Sequence, residues 1–318
     1  MRKAFWNLLL VALLLCCPAQ AAEKEVGAGY LRGVLLTPDV PRGPLALIIP
    51  GSGAVTRDGD IFALGIPGTY KLLAEGLAGQ GIASARVDKR GMFSSAMQGV
   101  NPNNARLRDY ADDARLWVDT LRQETGRECV WLIGHSEGAL TAMLAAQKPE
   151  GICGLVLASP PGRKLGDILR AQMGLNFVDM AALPLIMRSI RSLEKGDPVD
   201  DSALPAQLQA VFRREAQGLL MDVMRYDPAG LISGLSLPIL IVQGEADLQI
   251  TPLDARLLHQ AGPGSSLLLL PGVTHTLKRA GSSSLEDYRS TYSKPGLGLP
   301  PELINAVAAF MLSGGKAQ

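Results

Sequence analysis

The chain has 318 residues, of which 47% are hydrophobic and 19% charged, enough to bury a sizeable core. Its formal net charge is +1, with no basic run and no acidic tail, so nothing in it points to nucleic acid or an anionic membrane surface as a partner.

The N-terminus reads as an export signal over residues 1–21. Arg2 and Lys3 precede an apolar stretch from Leu8 to Leu15, and Ala19-Gln20-Ala21 is a small-x-small cleavage site. Cleavage there takes the net charge from +1 to −1, because the segment carries two basic residues and no acidic one. It leaves a mature chain with no stable membrane anchor, expected in a bacterial periplasm. The alternatives are an uncleaved anchor or, through Cys16 or Cys17, a lipoprotein. Cys129 and Cys153 then remain, both near the starts of predicted strands that would be neighbours. In an oxidising compartment they are a candidate disulfide; otherwise they are two buried thiols.

Tyr30 to Thr37 reads as an early strand and Leu45 to Ile49 as a central strand buried on both faces, ending in the turn Pro50-Gly51-Ser52-Gly53. A helix is expected over Lys71–Gln80 and a strand over Ile82–Val87, which runs into Asp88-Lys89-Arg90-Gly91. Tyr110, Ala114, Trp117, Val118 and Leu121 mark an amphipathic helix over Leu107–Glu124. Next come a strand over Val130–Ile133, the box Gly134-His135-Ser136-Glu137-Gly138, a helix through Gln147 and a strand over Gly154–Ala158. Residues 163–235 break this rhythm. They hold no convincing strand, several short helical patterns, and five of the ten methionines (Met173, Met180, Met187, Met221, Met224). They read as a helical cap inserted into a core of residues 22–162 and 236–318; the methionines serve either as ordinary helix packing or as an adaptable apolar wall for substrate. Regular order resumes with a strand over Pro238–Val242, a helix over Pro252–Gln260, a strand over Leu267–Leu270 and a terminal helix from Pro301. Alternating strands and helices of this kind predict an α/β fold, a mostly parallel sheet flanked by helices.

The strand–box–helix order turns a loose Gly-x-Ser-x-Gly pattern into a nucleophile elbow, with Ser136 on a sharp, strained turn. A serine hydroxyl needs a base, and a histidine oriented by a carboxylate is the usual one. Of three histidines, His275 follows the last strand, where the base belongs. His135 is expected to point away from the nucleophile, and His259 to be a surface or satisfied side chain. Asp247 follows the strand after the cap and is the candidate acid, with Glu245 the weaker choice; Asp222 and Asp227 read as solvated or helix-end charges. The oxyanion of a tetrahedral intermediate needs two N–H donors. Those of Glu137 and Ser52 are the candidates, with Gly53 as the alternative to Ser52. Arg57 and Asp58 are placed to pair with each other or to lie on the surface.

These residues resemble the α/β-hydrolase superfamily over essentially the whole mature chain. Gly51-Ser52-Gly53 with Arg57-Asp58-Gly59, the Asp88 to Gly91 turn and the Gly134 to Gly138 elbow are similar to a branch of bacterial esterases. So are Asp227-Pro228, the Gly244-x-x-Asp247 box, Asp287-Tyr288-Arg289 and Pro301-Glu302. The resemblance implies hydrolysis of a small-molecule carboxylic ester with a short to medium acyl group, without metal or cofactor. An amidase, peptidase or thioesterase would use the same Ser136, Asp247 and His275, and a binding protein could retain the fold. The chain departs from the branch at Phe93, where glycine is usual, which is expected to reshape one pocket wall, and at Ala139.

Overall fold

The computed structural model describes residues 21–41, 43–61, 64–174 and 182–316. The expected signal, except Ala21, lies outside them, as does Met180 among the cap methionines. Numbered in chain order, the strands are β1 (Ala22–Ala28), β2 (Leu31–Thr37), β3 (Leu45–Ile49), β4 (Ala83–Val87), β5 (Val130–His135), β6 (Ile152–Ala158), β7 (Ile239–Gly244) and β8 (Ser265–Leu270). They form one sheet in the order β1-β2-β4-β3-β5-β6-β7-β8. β1 and β2 pair antiparallel, as do β2 and β4, and every other neighbouring pair is parallel.

β3 and β5 sit in the middle of the sheet, and Leu45, Leu47, Leu132 and Ile133 are each at most 1% exposed. That burial on both faces is why these segments are unbroken apolar runs. β1 was not expected. It is an edge strand whose Glu23, Lys24 and Glu25 face solvent, so it lacks the apolar pattern that marks the others.

Helices α1 (Thr69–Gly79), α2 (Leu107–Thr125) and α3 (Glu137–Ala145) connect the first half of the sheet. α2 stops at Gly126, whose φ of 69° is the left-handed cap that glycine supplies at no steric cost. Between β6 and β7 the chain is helical among the described residues: α4 (Leu165–Gly174), α5 (Leu183–Lys195), α6 (Ala206–Phe212), α7 (Gln217–Met224) and α8 (Pro228–Ser233). This insertion has a core of its own, built on Leu169, Ile186, Ile190, Leu193, Leu208 and Phe212. Met224 is buried in that core and Met221 packs against it, so these two methionines serve helix packing and not a substrate wall. Ile232 of α8, like Val223 of α7, joins the core beside the sheet. α9 (Pro252–Ala261), α10 (Leu285–Ser293) and α11 (Pro301–Leu312) complete the chain.

At its start the insertion is tied to the core by polar contacts. Asp254, at the start of α9 and fully buried, accepts two bonds from the Arg163 guanidinium, at 2.9 and 2.7 Å. It also accepts the Gly162 and Arg163 backbone N–H groups. Cys129, immediately before β5, and Cys153, in β6, are disulfide-bonded with their Cα atoms 5.2 Å apart.

Candidate active site

The strand-to-helix turn at Ser136 is as sharp as the sequence implies. Ser136 has φ 55° and ψ −122°, a backbone region that costs of order 1–3 kcal/mol for a residue with a side chain. The glycines make the turn possible. A Cβ on Gly134 would lie 2.2 Å from the Gly138 carbonyl oxygen, and one on Gly138 would lie 2.3 Å from that of Ile49. The Ser136 N–H donates to the Ala158 carbonyl at 2.9 Å, tying the elbow to β6.

Asp247 follows β7 and His275 follows β8; the two are 3% and 7% exposed. His275 Nδ1 lies 2.8 Å from Asp247 Oδ2. Asp247 also accepts the backbone N–H groups of Gln249 and Ile250, at 2.8 and 3.0 Å, and a longer bond from Gln243 Nε2. Burial disfavours its ionised form, but the charge and hydrogen bond of His275 and the two backbone donors outweigh it, holding the carboxyl below the usual range. A carboxylate so held fixes the proton on His275 Nδ1 and leaves Nε2 as the basic nitrogen.

Ser136 and His275 line one cavity of about 170 Å³ together with Gly51, Ser52, Tyr70 and His135. Val55, Ile61, Leu64 and Tyr292 supply apolar wall. This wall comes from the segment after β3 and from α10. None of the described insertion residues lines the cavity, although α4 reaches the acid loop through Gln172 Nε2, 2.9 Å from the Gln249 carbonyl. Phe93 is not among the described residues that line it, and its φ of 45° is the left-handed conformation that glycine adopts freely.

Of the expected oxyanion donors, Ser52 lines the cavity and Gly53 does not. Glu137 opens α3, where an N–H has no partner within the helix.

Five other expectations are corrected or sharpened. His135 does not point away from the site: its ring centroid is 4.8 Å from that of His275. His135 Nε2 is 2.8 Å from the His275 carbonyl oxygen, so Nε2 carries the proton and Nδ1 accepts from the Tyr70 hydroxyl at 2.9 Å. The Tyr70 oxygen in turn accepts the Gly51 N–H at 2.9 Å. This chain of bonds ties the turn after β3, the elbow and the histidine loop to one another. Arg57 and Asp58 do not pair together; Arg57 bonds Glu25 and Asp58 bonds Arg86, each at 2.9 Å. Asp222 is buried, not solvated, and accepts the Leu107 N–H at the start of α2 at 2.9 Å. Glu245 is exposed and takes no part in the site, and His259 is satisfied by Ser265 Oγ at 3.0 Å.

The sequence reading also missed Lys89, which is buried with Nζ 2.7 Å from the Gly51 carbonyl oxygen. Its position in Asp88-Lys89-Arg90-Gly91, directly after a buried strand, was the available signal.

Residues 67–211 match the family described as serine aminopeptidase, S33, a stretch that holds the elbow but neither Asp247 nor His275. Esterase EstD of Thermotoga maritima is 25% identical over 245 residues, covering 74% of this chain and 55% of its own length; the chain thus spans about half of that relative. Monoglyceride lipase of Mus musculus is 28% identical over 214 residues, 60% of this chain and 69% of its own. Among solved structures, Est1E from Butyrivibrio proteoclasticus aligns with a TM-score of 0.59 at 18% identity, covering 92% of this chain and 98% of its own. The Paleococcus ferrophilus monoacylglycerol lipase aligns at 0.54 and 17%, covering 93% and 99%. Sheet order, elbow and the solved structures agree: the chain has the α/β-hydrolase fold.

Proposed function

We propose that the chain is an exported serine hydrolase that cleaves carboxylic esters with short to medium acyl groups through an acyl-enzyme. The observation that carries this is the strained Ser136 facing the same cavity as His275, whose Nδ1 is bonded to buried Asp247. Ser136 Oγ attacks the ester carbonyl while His275 Nε2 takes its proton. Asp247 stabilises the imidazolium. The N–H groups of Ser52 and Glu137 hold the oxyanion, and His275 then protonates the leaving alcohol. Water activated by the same histidine attacks the acyl-enzyme and restores Ser136. The esterase and monoglyceride lipase relatives support esters as the substrate class. The N-terminal signal pattern and the Cys129–Cys153 bridge support export, since disulfides persist in oxidising compartments.

A second reading, amide or peptide hydrolysis by the same three residues, is favoured by the description of the matched family. Hydrolysis of a p-nitrophenyl ester series from acetyl to palmitoyl, set beside the matching anilides, separates the two. Wild type and Ser136→Ala are compared in parallel. A Ser136-dependent rate on esters, highest at a short or medium chain, is expected. Equal, slow rates for both proteins on every ester would refute the esterase reading.

A further inference from the structure

We propose that Lys89 is the positioning residue of the oxyanion site, holding both N–H donors through one buried ammonium. The proposal rests on the serine hydrolase reading. Lys89 follows β4 and is 8% exposed, and its Nζ donates to the Gly51 carbonyl at 2.7 Å. The same Nζ lies 3.9 Å from Glu137 Oε1 and 5.5 Å from the centre of the Tyr110 ring. Burial disfavours the ammonium and lowers the lysine pKa, with Glu137 acting in the opposite sense. A buried cation survives only where acceptors compensate it, and these are its acceptors.

The geometry of the peptide bond makes that hydrogen bond matter. No peptide among the described residues is cis, so the Gly51–Ser52 carbonyl and the Ser52 N–H point in opposite directions. Lys89 lines a small cavity with Pro50, Glu137, Tyr110 and Thr141. Gly51 and Ser52 line the Ser136 cavity, which Lys89 does not. Holding the Gly51 oxygen toward Lys89 therefore turns the Ser52 N–H away from Lys89, and Ser52 lines the cavity where the oxyanion would form. The turn is also held from its other end, because the Gly51 N–H donates to Tyr70.

Glu137 completes the arrangement. Its N–H is the second donor and its carboxylate reaches inward to the ammonium. Lys89 is thus within reach of the peptide that carries one donor and of the residue that carries the other. A charged donor on the Gly51 carbonyl also polarises that peptide and strengthens its N–H as a donor in the transition state. A lysine that only stabilised the fold would change none of the transition-state terms.

The experiment compares wild type with Lys89→Met, which keeps the length and removes the charge and donor. The readouts are kcat and KM on p-nitrophenyl butyrate, affinity for a boronic acid transition-state analogue, affinity for butyrate as a ground-state competitor, and urea unfolding. Losing a correctly held donor predicts a fall of about a hundredfold in kcat, with KM nearly unchanged. Boronate affinity should fall in parallel and butyrate affinity should not. A folded Lys89→Met with wild-type kcat, or one whose loss lies in KM, overturns the proposal. If Lys89→Met does not fold, Glu137→Gln decides. It removes the carboxylate facing the ammonium, and a several-fold fall in kcat at constant KM is expected; wild-type kinetics would overturn the proposal. An inactive wild type overturns the hydrolase reading and this proposal together, whereas a Lys89→Met with wild-type kcat overturns this proposal alone.

Discussion

The ring of His135 makes the fold sensitive to acid. His135 is held by Tyr70 and by the His275 carbonyl, with the His275 ring against it and Asp247 beyond. Burial, reinforced by the charge at His275, lowers its pKa from 6.5 to about 3. The folded protein therefore keeps the ring neutral while the unfolded chain protonates it as pH falls below 6.5. Stability is full above that value and declines down to about pH 3, where the folded state also takes up the proton. Each pH unit in that window costs about 1.4 kcal/mol, so the unfolding free energy falls by about 3 kcal/mol between pH 7 and 4.5 from this group. His135→Gln removes the titration. It loses about 1–3 kcal/mol at pH 7 through the broken bonds to Tyr70 and His275, but its stability declines less steeply toward acid. Urea unfolding of both proteins across that range tests this. The two curves should converge at low pH; curves that stay parallel would refute the assignment of a neutral, buried His135.

Other perturbations probe the remaining parts of the argument. Asp247→Asn keeps the shape of the acid loop but not the charge that orients His275, and a drop of about 10⁴ in kcat is expected, read from ester hydrolysis. A loss under tenfold would show that another group orients the base. Replacing Cys129 and Cys153 together by Ala opens a cross-link between residues 24 apart and should cost about 3 kcal/mol in urea unfolding. An unchanged midpoint would mean that the bridge contributes nothing. Arg163→Met leaves buried Asp254 without its bidentate partner, a loss of about 3 kcal/mol, and calorimetry would show a lowered Tm. Gly138→Ala places a methyl 2.3 Å from the Ile49 carbonyl oxygen, so it should reduce both labelling by a fluorophosphonate and thermal stability. Wild-type labelling would show that the elbow tolerates the shift.

Much of this was legible along the chain because the signals are local. Strands β3, β5, β6 and β7 are buried on both faces, so each is built on a run of apolar residues. The Gly134 to Gly138 box needs only its flanking strand and helix to be recognised. With three histidines in the chain, the choice of His275 followed from element order. β1 and α10 were not legible in the same way. β1 is an edge strand with charges outward, and α10 carries polar residues over most of its length, burying Tyr288, Thr291 and Tyr292.

What remained was decided by partners far apart in sequence. Arg57 lies next to Asp58, yet Glu25 and Arg86, from β1 and β4, take the two charges separately. His135 is expected from the elbow alone to point away from the nucleophile, and only the return of the chain after β8 puts the His275 carbonyl against its ring, 140 residues away. Lys89 reads as one charge in a polar turn until the folded sheet brings it under Gly51 and Glu137. Most helices and strands can be read along the chain, because backbone periodicity and turn sterics act over a few residues. The tertiary structure alone decided which polar groups meet, because hydrogen bonds and charges are satisfied across the sheet, wherever burial leaves them no water.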